Sequence, residues 1–165
     1  MEKIKWGIIG PGNIANNFAD GLKGSYSGQL VSIASKSEDR RKNFGDKYDI
    51  HPDFRFDSYE DIINSEHIDA IYISTPHTLH AQWTIKAAGK GKHILCEKPG
   101  AINFNEGKKI IDAVREAGVF YMEGFMYRCH PQIPKLVDII KNKIIGDVIS
   151  VETSFGFDMG KTIPD

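Results

Sequence analysis

Apolar positions along this chain follow two alternating rhythms. Short apolar runs near 4–9, 29–34, 70–74, 93–97 and 119–123, with a poorer one at 54–56, read as strands. The stretches between them, roughly 13–23, 37–48, 59–64, 78–90 and 104–117, carry apolar residues at helical spacing. The last of these shows the pattern well: Ile110, Ile111, Val114 and Ala117 make one stripe, while Lys108, Lys109, Asp112 and Arg115 face water. Ser58 with Asp61 and Asn103 with Glu106 have the spacing of helix N-caps, which fixes two helix starts. Strand and helix alternating over short connections predict crossover units, and hence an α/β fold with a doubly wound parallel sheet covered on both faces.

The rhythm changes after Glu123. Residues 124–131 are irregular and aromatic, Ile133, Leu136, Val137 and Ile140 describe a helix facing a core, and Ile149 to Phe157 alternate as a strand. A lone strand cannot bury a face. The pattern therefore predicts a first domain over 1–124 and the incomplete start of a second α/β domain over 125–165.

Composition narrows the function classes. A chain of 165 residues with 41% hydrophobic and 26% charged residues can bury one respectable core, and a net charge of −1 leaves no footprint for nucleic acid or an anionic membrane. Cys96 and Cys129 form no metal spacing and no disulfide framework, which favours a reducing, cytoplasmic compartment. No stretch has the length of a membrane span or the layout of a signal peptide.

The chemistry begins at the end of the first strand. Trp6, Ile8 and Ile9 lead into Gly10-Pro-Gly12-Asn13-Ile14-Ala15, the spacing G-x-G-x-x-A between a strand and a helix carrying Ile14, Phe18 and Leu22. Gly10 permits the sharp turn, Gly12 lets backbone approach a pyrophosphate, and Ala15 lets the helix pack on the strand. The helix N-terminus then offers its free N–H groups to the anion. At the tip of the second strand, where an acid would bond the ribose hydroxyls of NAD, the sequence reads Ser35-Lys36-Ser37-Glu38-Asp39-Arg40-Arg41. Hydroxyls from Ser35 and Ser37 and charge from Lys36 and Arg40 suit a 2′-phosphate, so NADP is favoured, with NAD as the alternative. Each charge-assisted bond contributes about 1.5–3 kcal/mol. The competing reading makes Lys36, Arg40 and Arg41 a solvated helix face paired with Glu38 and Asp39.

Two further stretches, Ile73-Ser-Thr-Pro-His-Thr-Leu-His80 and Ile94-Leu-Cys-Glu-Lys-Pro99, end consecutive strands, and Met122-Glu-Gly-Phe-Met-Tyr-Arg-Cys-His-Pro131 follows. With the glycine motif, these resemble the glucose–fructose oxidoreductase / inositol dehydrogenase / rhizopine catabolism family, in its dihydrodiol and D-xylose dehydrogenase branch. The resemblance covers essentially the whole chain. It implies a Rossmann-type dinucleotide-binding domain followed by an α/β domain with an open sheet, in proteins about twice this length. It also implies that Gly10, Gly12, Asn13, Ile14 and Ala15 cradle the pyrophosphate and that Lys36 and Arg40 hold the 2′-phosphate. Thr75, Pro76, His77 and His80 would line the cofactor, Glu97 and Lys98 would lie beside the nicotinamide ribose and ring, and Arg128 would face cofactor or substrate near the domain junction.

Both strand-end motifs fall where ligands collect in open α/β sheets. Lys98 is the candidate catalytic residue, a cation able to stabilise a developing alkoxide; the alternative is a lysine paired with Glu97 or another acid. A cis Lys98–Pro99 bond would lock its position. His51, His67 and His93 read as surface or core filler, His130 as packing, and no zinc site is spaced out. In the family a tyrosine or histidine of the second domain exchanges the substrate proton, and Tyr127 is not in the matching position. The expectation is thus the N-terminal part of an NADP-dependent dehydrogenase of a sugar, polyol or cyclic diol, inactive by itself and homo-oligomeric at full length. The rival is a non-catalytic NAD(P)-sensing regulator, which has no need of a cation aimed at the nicotinamide.

Overall fold

The computed structural model describes residues 2–156. Six strands, β1 (Ile4–Ile9), β2 (Gly28–Ala34), β3 (Arg55–Phe56), β4 (Ala70–Ile73), β5 (His93–Cys96) and β6 (Tyr121–Glu123), form one sheet in the order β3-β2-β1-β4-β5-β6. Every neighbouring pair is parallel. The poorer strand candidate at 54–56 is the two-residue edge strand β3.

Each crossover carries a helix: α1 (Asn13–Lys23), α2 (Glu38–Lys47), α3 (Tyr59–Asn64), α4 (His80–Ala88) and α5 (Phe104–Ala117). The serine and asparagine caps act as their spacing predicts. Ser58 accepts from the backbone N–H of Glu60 and Asp61, and Asn103 Oδ1 accepts from Glu106 N–H at 2.9 Å. Helix α4 starts two residues later than the sequence pattern suggests, because His77–Leu79 form a 3₁₀ turn ahead of it.

The two-residue strand period sends alternate side chains to opposite layers. Ile8, Ile33 and Tyr72 pack with Ala15 and Ala19 of α1 and Phe44 of α2. Ile9, Ile71, Ile73, Ile94 and Cys96 pack with Ile62 of α3, Trp83 of α4 and Ile110 of α5. The sheet is doubly wound for that reason, with two dry cores, one on each face.

The chain divides into two compact units, one ending at Phe125 and one spanning Met126–Asp165. The second holds a 3₁₀ turn at Met126–Cys129 and α6 (Gln132–Lys141). Two expectations fail there. None of α6 is buried, and Leu136, Val137 and Ile140 of its apolar stripe stay exposed, instead of facing a core. The strand expected from Ile149 to Phe157 is absent over 149–156, and Phe157 lies outside the described residues. Alternation encodes a face but not a partner, and among the described residues no strand of this unit pairs with the segment.

Ile71 is fully buried at the centre of the larger core. Ile71→Ala should lower unfolding free energy by about 2–5 kcal/mol in urea titrations, through lost transfer energy and a residual cavity.

Candidate functional site

Register aligns the motif-bearing strand ends. Ile9 pairs with Ala34 and with Ile73, and Ile73 pairs with Cys96. The next residues, Gly10, Ser35, Ser74 and Glu97, therefore stand in one row along the carboxyl edge of the sheet. Backbone bonds extend the ladder through this row: Gly10 N–H to Ala34 O (3.2 Å), Ser74 N–H to Ile9 O (3.0 Å) and Glu97 N–H to Ile73 O (2.9 Å).

Gly10 adopts φ +88°, and a Cβ there would sit 3.0 Å from the Ser74 carbonyl oxygen. The Ser74 hydroxyl closes the corner by donating to the Gly10 carbonyl at 2.8 Å. Only glycine accepts both the left-handed backbone and that approach. Gly12 is the N-cap of α1, without a side-chain cap bond and with no acidic residue in the first turn. A Cβ at Gly12 would meet nothing within 4 Å. Space is therefore open beside the start of α1, and the partial positive charge of its first-turn N–H groups suits a phosphate. Asn13 and Ile14 are exposed beside them, while Ala15 is fully buried against the sheet.

Beyond β2, Ser35 is buried, and its hydroxyl oxygen accepts from Ser37 N–H at 3.2 Å; Ser37 in turn caps α2. Lys36 and Arg40 are exposed. The Lys36 ammonium lies 5.9 Å from the centre of the Tyr59 ring, and Tyr59 stands edge-on to Trp83 at 5.1 Å. Burial raises the Tyr59 pKa, and the positive charge of Arg40 pulls against it. Arg41 donates to the Ser35 carbonyl at 2.7 Å, holding the loop. Among the described residues no ion pair joins Lys36, Arg40 or Arg41 to Glu38 or Asp39.

At the other end of the row, Thr75 is buried and its hydroxyl has no partner, whereas Pro76 and His77 are exposed. His80 is fully enclosed. Its Nδ1 lies 2.8 Å from the Pro99 carbonyl and its Nε2 2.8 Å from the Thr75 carbonyl, so the ring braces the two strand-end loops and offers no exposed edge to a ligand. The Lys98–Pro99 bond is cis. Lys98 is exposed and has no ion-pair partner among the described residues, and the Glu97 carboxylate accepts from the Tyr72 hydroxyl at 2.6 Å. Arg128 is an exposed residue of the second unit's 3₁₀ turn. A cavity of about 540 Å³ lies elsewhere, beside α5, lined by Ala101, Phe104, Ile111, Tyr121 and Glu123 among others. No group of three or more metal-ligating side chains occurs among the described residues, and no described helix is long and apolar enough to cross a membrane.

Residues 4–125 match the profile of the oxidoreductase family with an NAD-binding Rossmann fold, the GFO/IDH/MocA family. The chain belongs to this family. It is 33% identical over 159 residues to a trans-1,2-dihydrobenzene-1,2-diol dehydrogenase of Xenopus tropicalis, covering 95% of this chain and 48% of that protein. It is 34% identical over 154 residues to a D-xylose 1-dehydrogenase (NADP(+)) of Haloferax volcanii, covering 93% and 46%. Among solved structures it resembles a 3-ketoreductase from Actinomadura kijaniata in complex with TDP-benzene and NADP, with TM-score 0.78, 31% identity and coverage of 89% and 45%. The chain spans about half the length of the curated relatives it matches. The family and the branch indicated by the four motifs are those from which these relatives come.

Three residues that shape the site lie outside the sequence expectations for it: Tyr59, Tyr72 and Arg41. Arg41 appeared only as a possible solvated charge. Tyr59 and Tyr72 look like core aromatics in sequence, since nothing in spacing reveals that a hydroxyl meets a carboxylate 25 residues away.

Cys96, immediately before Glu97, also marks how dry the strand end is. Burial pushes its thiol up to about 12. The folded state then keeps a proton that the unfolded chain loses near pH 9, so this contribution is full below about pH 9 and is lost as pH rises toward 12. Urea titrations should show stability falling by up to about 1.4 kcal/mol per pH unit from this group above pH 9. Cys96→Ala should flatten that slope.

Proposed function

We propose that this chain is the cofactor-binding part of an NADP-dependent dehydrogenase acting on a hydroxyl of a sugar, polyol or cyclic diol. One observation carries the reading. The glycine corner, the Lys36/Arg40 pair and Lys98 stand along a single edge of the sheet, with the glycine corner between the other two. Lys36 and Lys98 follow strands three spacings apart, about 14 Å, so an extended dinucleotide lying across the corner would meet a cation at each end. The open space at Gly12 and the uncapped start of α1 fit a pyrophosphate, and the residues present therefore fit the cofactor.

In this reading Gly10, Gly12, Asn13, Ile14 and Ala15 form the pyrophosphate cradle, the last by letting α1 pack close. Lys36 and Arg40, with the serine-lined loop of Ser35 and Ser37, neutralise the 2′-phosphate. Thr75, Pro76 and His77 border the cofactor at the tip of β4, His80 holds that tip from behind, and Glu97 accepts from ribose hydroxyls. When bound, NADP supplies the hydride-accepting nicotinamide. The unpaired Lys98 ammonium stabilises negative charge growing on the substrate oxygen, an effect that strengthens as water leaves the site. Lys98 alone does not serve efficiently as proton acceptor as well. We assign that role to a residue outside these 165, and accordingly propose 1–124 as the dinucleotide-binding domain and 125–165 as the start of a substrate domain. A reducing cytoplasm and a homo-oligomeric full-length form belong to the same reading. The named substrates of the dihydrodiol and xylose relatives support the substrate class.

Calorimetric titration with NADP and NAD tests the assignment. NADP should bind more tightly, and Lys36→Ala with Arg40→Ala together should weaken NADP by roughly one to three decades, two charge-assisted bonds' worth, while NAD affinity stays within a factor of about two. A preference for NAD, or equal loss of both ligands in the double variant, would overturn the 2′-phosphate assignment.

A further inference from the structure

We infer that Tyr72 is a positioning residue for the nicotinamide-side ribose: its hydroxyl fixes the Glu97 carboxylate in the orientation that accepts from a vicinal diol. The inference rests on the dinucleotide reading above and deepens it.

Tyr72 itself cannot touch a ligand. It sits in mid-strand on β4, is 2% exposed, and belongs to the core that seats α1. Its ring is stacked on Phe18 of α1 at 4.1 Å and 23°, and Phe18 meets Trp6 edge-on at 5.2 Å. That contact fixes the phenol between the pyrophosphate helix and the sheet. Packing alone would be satisfied by phenylalanine; a buried hydroxyl needs an acceptor. The acceptor is Glu97 Oε1 at 2.6 Å, a short bond strengthened by the carboxylate charge.

The carboxylate needs such an anchor. The last torsion of a glutamate side chain is broad, and among the described residues no other hydrogen bond holds the Glu97 carboxylate. A second constraint comes from the residue after β6: Gly124 packs so close that a Cβ there would lie 3.2 Å from Glu97 Oε1. With Oε1 taken by the phenol and lying where a Gly124 side chain would crowd it, Oε2 is the oxygen left to receive a ligand hydroxyl. Burial, with the adjoining carboxylate, raises the Tyr72 phenol above the ordinary tyrosine range, so it stays a donor at neutral pH. The stack on Phe18 also links the middle of the row to its Glu97 end: the helix that meets the pyrophosphate braces the ring that orients Glu97.

The test is titration of the 165-residue chain with NADP and with adenosine 2′,5′-bisphosphate, which carries the adenosine-side phosphates but no nicotinamide ribose. Tyr72→Phe keeps the stack and removes one oxygen. It should weaken NADP about threefold to tenfold, the effect of one hydrogen bond, and leave the bisphosphate unchanged, which also reports that the adenosine side is folded. In a Glu97→Ala background the same substitution should add no further loss. Equal weakening of both ligands would make Tyr72 merely structural, and unchanged NADP affinity or additive losses would equally overturn the inference. Failure of the unsubstituted chain to bind NADP would instead remove the dinucleotide reading on which it stands.

Discussion

The left-handed turn at Gly10 is the constraint on which the rest of the site depends. At φ +88° and with the Ser74 carbonyl 3.0 Å from where a Cβ would be, the chain leaves β1 in a direction open to glycine. That exit angle aims the N-terminus of α1 along the carboxyl edge of the sheet and lets Ala15 and Ala19 close on Ile8 and Tyr72. The Ser74 hydroxyl, donating to the Gly10 carbonyl, ties the corner to the tip of β4. His80 then ties that tip to the Lys98–Pro99 loop through the carbonyls of Thr75 and Pro99. One turn thus sets the positions of three loops, each held by backbone carbonyls that a buried or half-buried side chain satisfies.

Charge along the edge is uneven. The middle of the row carries only helix N–H groups and glycine, so an anion there meets partial charges and no competing carboxylate. Full cations, Lys36 and Arg40 on one side and Lys98 on the other, stand at the flanks. Neither Lys36 nor Lys98 has an ion-pair partner among the described residues. An exposed lysine gains little from an ion pair in water, so leaving these free costs the fold little and leaves their charge available to a ligand.

Much of this architecture was legible in the sequence, for a physical reason. Strand and helix periods are properties of consecutive residues, and Ile8/Ile9, Ile71/Ile73 and Ile110/Val114 of α5 declare their layers locally, whereas Ile111 and Ala117, read from the same stripe, are exposed at its margin. The short edge strand Arg55–Phe56 was faint because two residues carry almost no period. The stripe on α6 and the alternation beyond Ile149 gave the right local pattern for a helix and the wrong one for a strand, since a strand exists only through pairing. Within the site, the motif positions are visible as strand ends, but their supports are not. Arg41 on Ser35, His80 between Thr75 and Pro99, and Tyr72 on Glu97 are set by register across the sheet and by helix placement. His80, expected along the cofactor, is enclosed with a backbone carbonyl 2.8 Å from each ring nitrogen, those of Pro99 and Thr75.

Amide NMR of the ¹⁵N-labelled chain during addition of NADP tests the central claim most directly, because it reads every segment of the row at once. The account predicts saturable shifts at Gly12–Ala15, at Lys36–Ser37 and at Glu97–Lys98 with one dissociation constant. Shifts confined to the cavity beside α5, around Phe104 and Ile111, or an unmoved glycine corner at saturation, would contradict it.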